Sequence, residues 1–156
     1  IMKQLYDIGA LFDKADDMMS ISTVYRTIAG QEAIYRDKCF SVDDILHDTM
    51  DHALSICFRK SQNNVDYQVL ERGIKQVSSH IFSEPFHIEE AILSAAKTYY
   101  LVSLIKTYGI TIEKFSSRQL ERMRDWLFTD YDYTKLNKLK KSKPEAFFYL
   151  YLALHE

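Results

Sequence analysis

Only four glycines and two prolines punctuate the 156 residues, and this scarcity constrains the fold more than any other feature. Sheets turn at Gly and Pro, so a chain this poor in both is left with helices. The apolar residues agree, because they recur at intervals of three and four almost throughout. The pattern predicts an all-α fold, a bundle of about seven or eight antiparallel helices forming a single domain over residues 1–156. Leu5, Ile8, Leu11 and Phe12 share a stripe from the outset. The chain thus opens inside an amphipathic helix and without an initiator Met, and the expectation is a downstream piece of a longer protein.

The remaining helices follow from stripes and caps. Ser20 or Ser22 can cap a second helix carrying Ile21, Val24, Tyr25, Ile28 and Tyr35. Ser41 and Asp44 read as a capping box opening a third, with Val42, Ile45, Leu46, Met50, Ala53, Ile56 and Cys57 on its apolar side. Ser61 to Asn64 is a loop before a helix over about Asp66 to His80. The longest helix is predicted over about Phe86 to Tyr108, with Gly109 as its left-handed stop. Ile110 to Phe115 is the one weak strand candidate. Ser116 or Ser117 caps a sixth helix reaching Trp126. Tyr131 to Lys141 reads as a short basic helix or loop. The last helix starts near Pro144 and is apolar nearly all round, so it is either buried, seated in a groove, or facing a neighbouring domain.

Composition bounds the function. Net charge is −2, so the chain as a whole offers no electrostatic attraction to nucleic acid. Its two cysteines, Cys39 and Cys57, lack metal-type spacing, which fits a reducing cytoplasmic setting. No apolar run approaches the roughly 20 residues of a membrane span, and the longest is Ala146 to Leu154. The glycines lie too far apart for a phosphate loop.

Two constellations stand out. His47, Asp48, Asp51 and His52 share the polar face of the third helix at one-turn spacings that can hold a metal. The His47-Asp48 dipeptide resembles that of HD-type phosphohydrolases, but those require a further upstream His, and none precedes His47. A solvated acidic face is the plainer reading. The second constellation is Lys114 to Lys143, with nine Lys/Arg against four Asp/Glu and Trp126, Tyr131 and Tyr133 interleaved. Cations neutralise phosphate and rings stack on unpaired bases. Arg118, Glu121, Arg122 and Asp125 can pair among themselves, so Lys135, Lys138, Lys140, Lys141 and Lys143 are the candidate RNA contacts. His80 and His87, with Glu89 and Glu90, read as capping and solvation. Cys57 reads as core, and Cys39 as an exposed thiol without a catalytic neighbourhood.

Lys3-Gln4-Leu5-Tyr6-Asp7-Ile8 resembles the end of the Arg-Asp-Leu-Tyr-Asp-Leu stretch of the AbiEii/AbiGii-type nucleotidyltransferase toxins. The helical texture of Val24 to Arg36, Val42 to Ala53 and Ile81 to Lys97 is similar to that family too. The resemblance implies that this chain is the C-terminal helical part of such an enzyme. A preceding nucleotidyltransferase domain would carry a Gly-Ser motif and paired aspartates that bind Mg²⁺. That enzyme would transfer a nucleotide from an NTP to RNA such as tRNA, opposed by a cognate antitoxin. By resemblance Asp7 is a catalytic carboxylate, and Lys3 and Tyr6 contact the nucleotide. Lys3 stands where the family has arginine, and Gln4 where it has aspartate. The residues alone equally allow Asp7 to be a surface partner of Lys3. By itself this chain is expected to be inactive, since one carboxylate makes no two-metal site. Two other classes remain: an interaction or dimerisation module using the apolar last helix, and a metal-dependent hydrolase using His47, Asp48, Asp51 and His52.

Overall fold

The structure, a computed structural model, describes residues 2–35, 40–81 and 86–155. Among these residues it contains eight α-helices: α1 (Met2–Phe12), α2 (Met18–Tyr35), α3 (Val42–Phe58), α4 (Tyr67–Ser78), α5 (Ile88–Thr107), α6 (Gln119–Arg122), α7 (Leu139–Ser142) and α8 (Pro144–Leu154). Two 3₁₀ turns, Met123–Asp125 and Thr134–Lys138, join the last three. The fold is all-α, as the shortage of turn formers predicts.

The core is organised around α5. Thirteen of its twenty residues are buried, so it has no solvent face, and α1, α3 and α8 pack directly against it. Its small residues allow this. Ala91, Ala95 and Ala96 are fully enclosed, and Gly9 of α1 sits so near Ser94 that an added Cβ would lie 2.3 Å from its Oγ. Helix α8 brings the rings: Phe147 and Phe148 have no exposed surface. Tyr149 stacks on Tyr100 at 5.5 Å between centroids and meets Phe12 edge-on at 5.0 Å. Residues Ala146 to Leu150 of the apolar last helix are therefore buried in the core, while Tyr151 to Leu154 are half-buried.

One charge is carried inside. Lys97 of α5, its side chain 6% exposed, places Nζ 2.8 Å from Asp13 and 3.2 Å from Glu145. A buried cation needs such partners, and this one ties the end of α1 to the start of α8. Lys114 caps the same helix end by donating to the Phe12 carbonyl, with its ammonium 4.0 Å from the Phe12 ring centre.

Local departures have physical causes. Helix α2 starts at Met18, not after Ser20 or Ser22, because Asp17 accepts from the Ser20 amide at 3.0 Å. The Ser41–Asp44 capping box forms as read. The left-handed residue ending α5 is Tyr108 (φ 56°), not Gly109, whose amide donates back to Leu104 at 2.8 Å. Residues 110–115 make no strand. The Glu113 and Phe115 amides donate instead to the hydroxyls of Tyr100 and Tyr149, at 3.1 and 3.0 Å. The predicted sixth helix is a single turn extended by a 3₁₀ turn. Cys39 and Pro85 fall outside the described residues.

Candidate functional site

The motif at the start of α1 is locally satisfied. Lys3 Nζ lies 3.0 Å from Asp7 Oδ2, the i, i+4 pairing that a bare helix surface would give. Tyr6 packs its ring edge-on against Phe86 at 5.2 Å. Lys3 borders a shallow groove with Arg72 and Gln76 of α4. Gln4 faces a separate, larger groove under α2, and Asp7 borders neither.

On α3, His47 Nε2 is 3.9 Å from Asp51 and His52 Nδ1 is 3.5 Å from Asp48. The spacing thus yields two separate pairs and no shared focus. His52 Nδ1 also lies 2.8 Å from the Asp48 carbonyl. Among the described residues no three metal-ligating side chains converge. Cys57 is buried against the Ile92 carbonyl, and burial pushes its thiol up to about 12. His87 donates its backbone amide to Glu90, while Glu89 pairs with Arg59.

The basic segment divides by role. Lys140 donates to the carbonyls of Arg124 and Trp126 at 2.7 and 2.8 Å, and Lys143 reaches toward Glu90 at 3.7 Å. Lys143 stays partly exposed beside that acid. Lys135, Lys138 and Lys141 are exposed, and no ion pair engages them among the described residues. Arg122 pairs with Glu113 and lies over the Trp126 ring, not with its own helix neighbours.

Lys135 lines a cleft of about 760 Å³ together with several other polar and charged residues. That volume falls in the roughly 300–1,000 Å³ range of small-molecule sites. Its floor is the α3–α5 seam. From α3 come His47, Met50, Asp51, Leu54 and Phe58, one face by spacing; from α5 come Tyr99 and Lys106, two turns apart. One wall is the loop after α3, with Lys60 and Asn63. Asn63 adopts φ 50°, a left-handed conformation that Asn tolerates, and its amide donates to Asp51 at 2.7 Å. Another part of the wall is Tyr131 to Lys135. Asn137 holds that wall in place by bonding both the amide and the carbonyl of Phe128 at 2.9 Å.

The cleft therefore unites halves of the two constellations that the sequence presents as separate. Lys60, Lys106 and Lys135 contribute three cations with no ion-pair partner among the described residues. Asp51 is an anion only 19% exposed, and Tyr131 offers an open ring, 89% exposed. Tyr99 is 5% exposed. Burial first, then the neighbouring Tyr133, Asp51 and Cys57, hold its phenol protonated far above the ordinary range. Sequence reasoning missed Lys60, Asn63, Tyr99 and Lys106. Tyr99 has the spacing of a core residue, and nothing in its spacing tells that its polar end meets a cavity.

No helix among the described residues is long and apolar enough to cross a membrane. No protein family, curated protein or solved structure matches this chain.

Proposed function

We propose that this chain is the helical part of a nucleotidyltransferase of the AbiEii/AbiGii toxin class and that its work is to hold an RNA acceptor. The observation that carries this reading is the cleft, lined by three lysines with no ion-pair partner among the described residues, an open tyrosine ring and a partly buried carboxylate. Lysines neutralise phosphates at a salt-dependent gain in affinity, and rings hold unpaired bases by stacking. The preceding domain would supply Mg²⁺ and the reacting carboxylates. Asp7 pairs with Lys3 on the surface of α1, and its reading as a catalytic carboxylate rests on the resemblance. No catalytic step is assigned to this chain.

The test is binding of a labelled tRNA acceptor strand across a salt series. Wild type should bind with a log–log slope near −2, about 0.7 for each of three cations engaged on a single strand. The combined change Lys60→Ala, Lys106→Ala and Lys135→Ala should abolish most of that slope. An unchanged slope in this variant, or no binding at low salt, sinks the reading. A second consequence is that the chain alone transfers no label from NTP to tRNA.

One observation favours a second reading as a protein-binding module. Helix α2 buries only Met18 and Ala29, while Val24, Ile28, Ile34 and Tyr35 are each more than half exposed. An antitoxin or another domain would cover this face. Light scattering of wild type against an Ile34→Glu, Tyr35→Glu variant decides it. Equal masses with and without the candidate partner rule out this use of α2.

A further inference from the structure

The groove under α2 holds a buried polar atom without a mate. Helices α1, α2 and α3 line this groove, and α5 contributes Thr98 alone, around a volume of about 1010 Å³. That is the upper end of the range for small-molecule sites. Thr98 is 3% exposed, and its Oγ1 has no hydrogen-bond partner among the described residues. The other α-helical threonines, Thr23, Thr27, Thr49 and Thr107, each donate to the carbonyl four residues back at 2.8 or 2.9 Å. Thr98 makes no such bond, so its hydroxyl is spent neither on its own helix nor on a neighbour. A buried hydroxyl in this state forfeits a hydrogen bond that a ligand can restore. The rest of the lining has an apolar body and an acidic edge. Leu5, Ala29, Ile45 and Ile56 belong to the body, and Ile28 and Phe40, which also border the groove, remain 54% and 59% exposed. Glu32 and Asp48 are its carboxylates, both exposed, and no Lys or Arg is among its described lining residues. His52 pairs with Asp48 at 3.5 Å.

We propose that the groove under α2 binds a small amphiphilic amine. Its hydrocarbon part lies among the apolar side chains of α1, α2 and α3, its ammonium meets Glu32 and Asp48, and a hydroxyl or carbonyl oxygen on its chain bonds Thr98. Each part answers a feature of the groove. Burial of hydrocarbon against apolar walls supplies the affinity. Two carboxylates with no competing Lys or Arg favour a cation over an anion. The single buried hydroxyl selects a chain that carries an oxygen over one that does not. A small molecule fits better than a partner helix, because a thin chain reaches a side chain only 3% exposed. A helix, about 10 Å across, would lie on the surface and leave that hydroxyl unmet.

Calorimetric titration of the full chain with ω-aminododecanol, dodecylamine and dodecanoate, each below its micelle-forming concentration at neutral pH, tests the assignment. Both amines should bind about tenfold more tightly than dodecanoate. Thr98→Val keeps the shape of the side chain and removes only the hydroxyl. It should weaken the amino alcohol about fivefold and leave dodecylamine unchanged. Glu32→Gln combined with Asp48→Asn should weaken both amines alike. Ala33 lines the groove from α2 and is half-buried, so Ala33→Trp should fill the groove and abolish binding without disturbing the core. Equal affinity for amine and carboxylate, an equal effect of Thr98→Val on both amines, binding that survives Ala33→Trp, or binding of no amine overturns the proposal. Light scattering identifies a rival occupant. Self-association of wild type that Ala33→Trp abolishes, with no amine bound, assigns the groove to a second copy of this chain and overturns the small-molecule assignment.

Discussion

Gly9 and Ser94 set the closest approach between α1 and α5. An alanine at position 9 would gain about 1 kcal/mol of helix propensity over glycine. Against that, its Cβ would sit 2.8 Å from the Ser94 Cβ and 3.3 Å from its Cα. The Ser94 hydroxyl can rotate away, but these two atoms belong to the wall of α5. Overpacking of this kind costs about 1–3 kcal/mol, so the clash wins. Gly9→Ala is expected to lower the urea midpoint at constant slope, and an increase in stability would show that α1 floats on α5. None of this was legible in the sequence, where Gly9 is one small residue on an amphipathic helix. The Lys3–Asp7 pair was legible, because a four-residue spacing brings opposite charges together on any helix.

At the scale of elements, α8 and α2 exchange the roles that their sequences suggest. Helix α8 reads as apolar all round, which allows an interface or an interior, and the packing chooses the interior. Phe148 lies between Phe115 at 5.6 Å, Trp126 at 5.8 Å and Tyr149 at 5.3 Å. Phe148→Ala should cost about 3–5 kcal/mol, measured by chemical denaturation with loss of near-ultraviolet dichroism. A cost below 1 kcal/mol would mean that the ring cluster does not form in solution. Helix α2 shows the apolar repeats of a core helix but buries little. Its periodicity is real, yet α3 covers only part of its width. Arg26 anchors its middle, donating to the Ile105 carbonyl at 2.9 Å and pairing with Asp43 at 3.5 Å.

For the molecule as a whole, three buried acids in and beside the core make stability fall in alkali. The Cys57 thiol rises from 9.0 to about 12 and the Tyr149 phenol from 10.0 to about 12, both chiefly by burial. Burial raises Tyr99 as well. Each folded-state value lies above its unfolded one, so the folded chain holds protons that the unfolded chain releases. Stability from these groups is therefore complete below about pH 9 and declines from there through about pH 12. Urea midpoints should drop steadily across that window. Tyr99→Phe should flatten part of the decline, and a pH-independent midpoint would contradict the burial of all three.

The sequence by itself determined the class of fold, most helix boundaries and the capping box, because these depend on neighbours within about four residues. It also marked Lys135, Tyr131 and the His47/Asp51 face as chemically notable. Only the tertiary structure decided that these line one cleft over the α3–α5 seam and that Lys60, Lys106 and Tyr99 join them. Lys140 and Lys143 were likewise indistinguishable from Lys135 until carbonyls and Glu90 were found beside them. The reason is physical: helical periodicity reports which face of a segment is apolar, but not which distant segment covers it or where that cover stops.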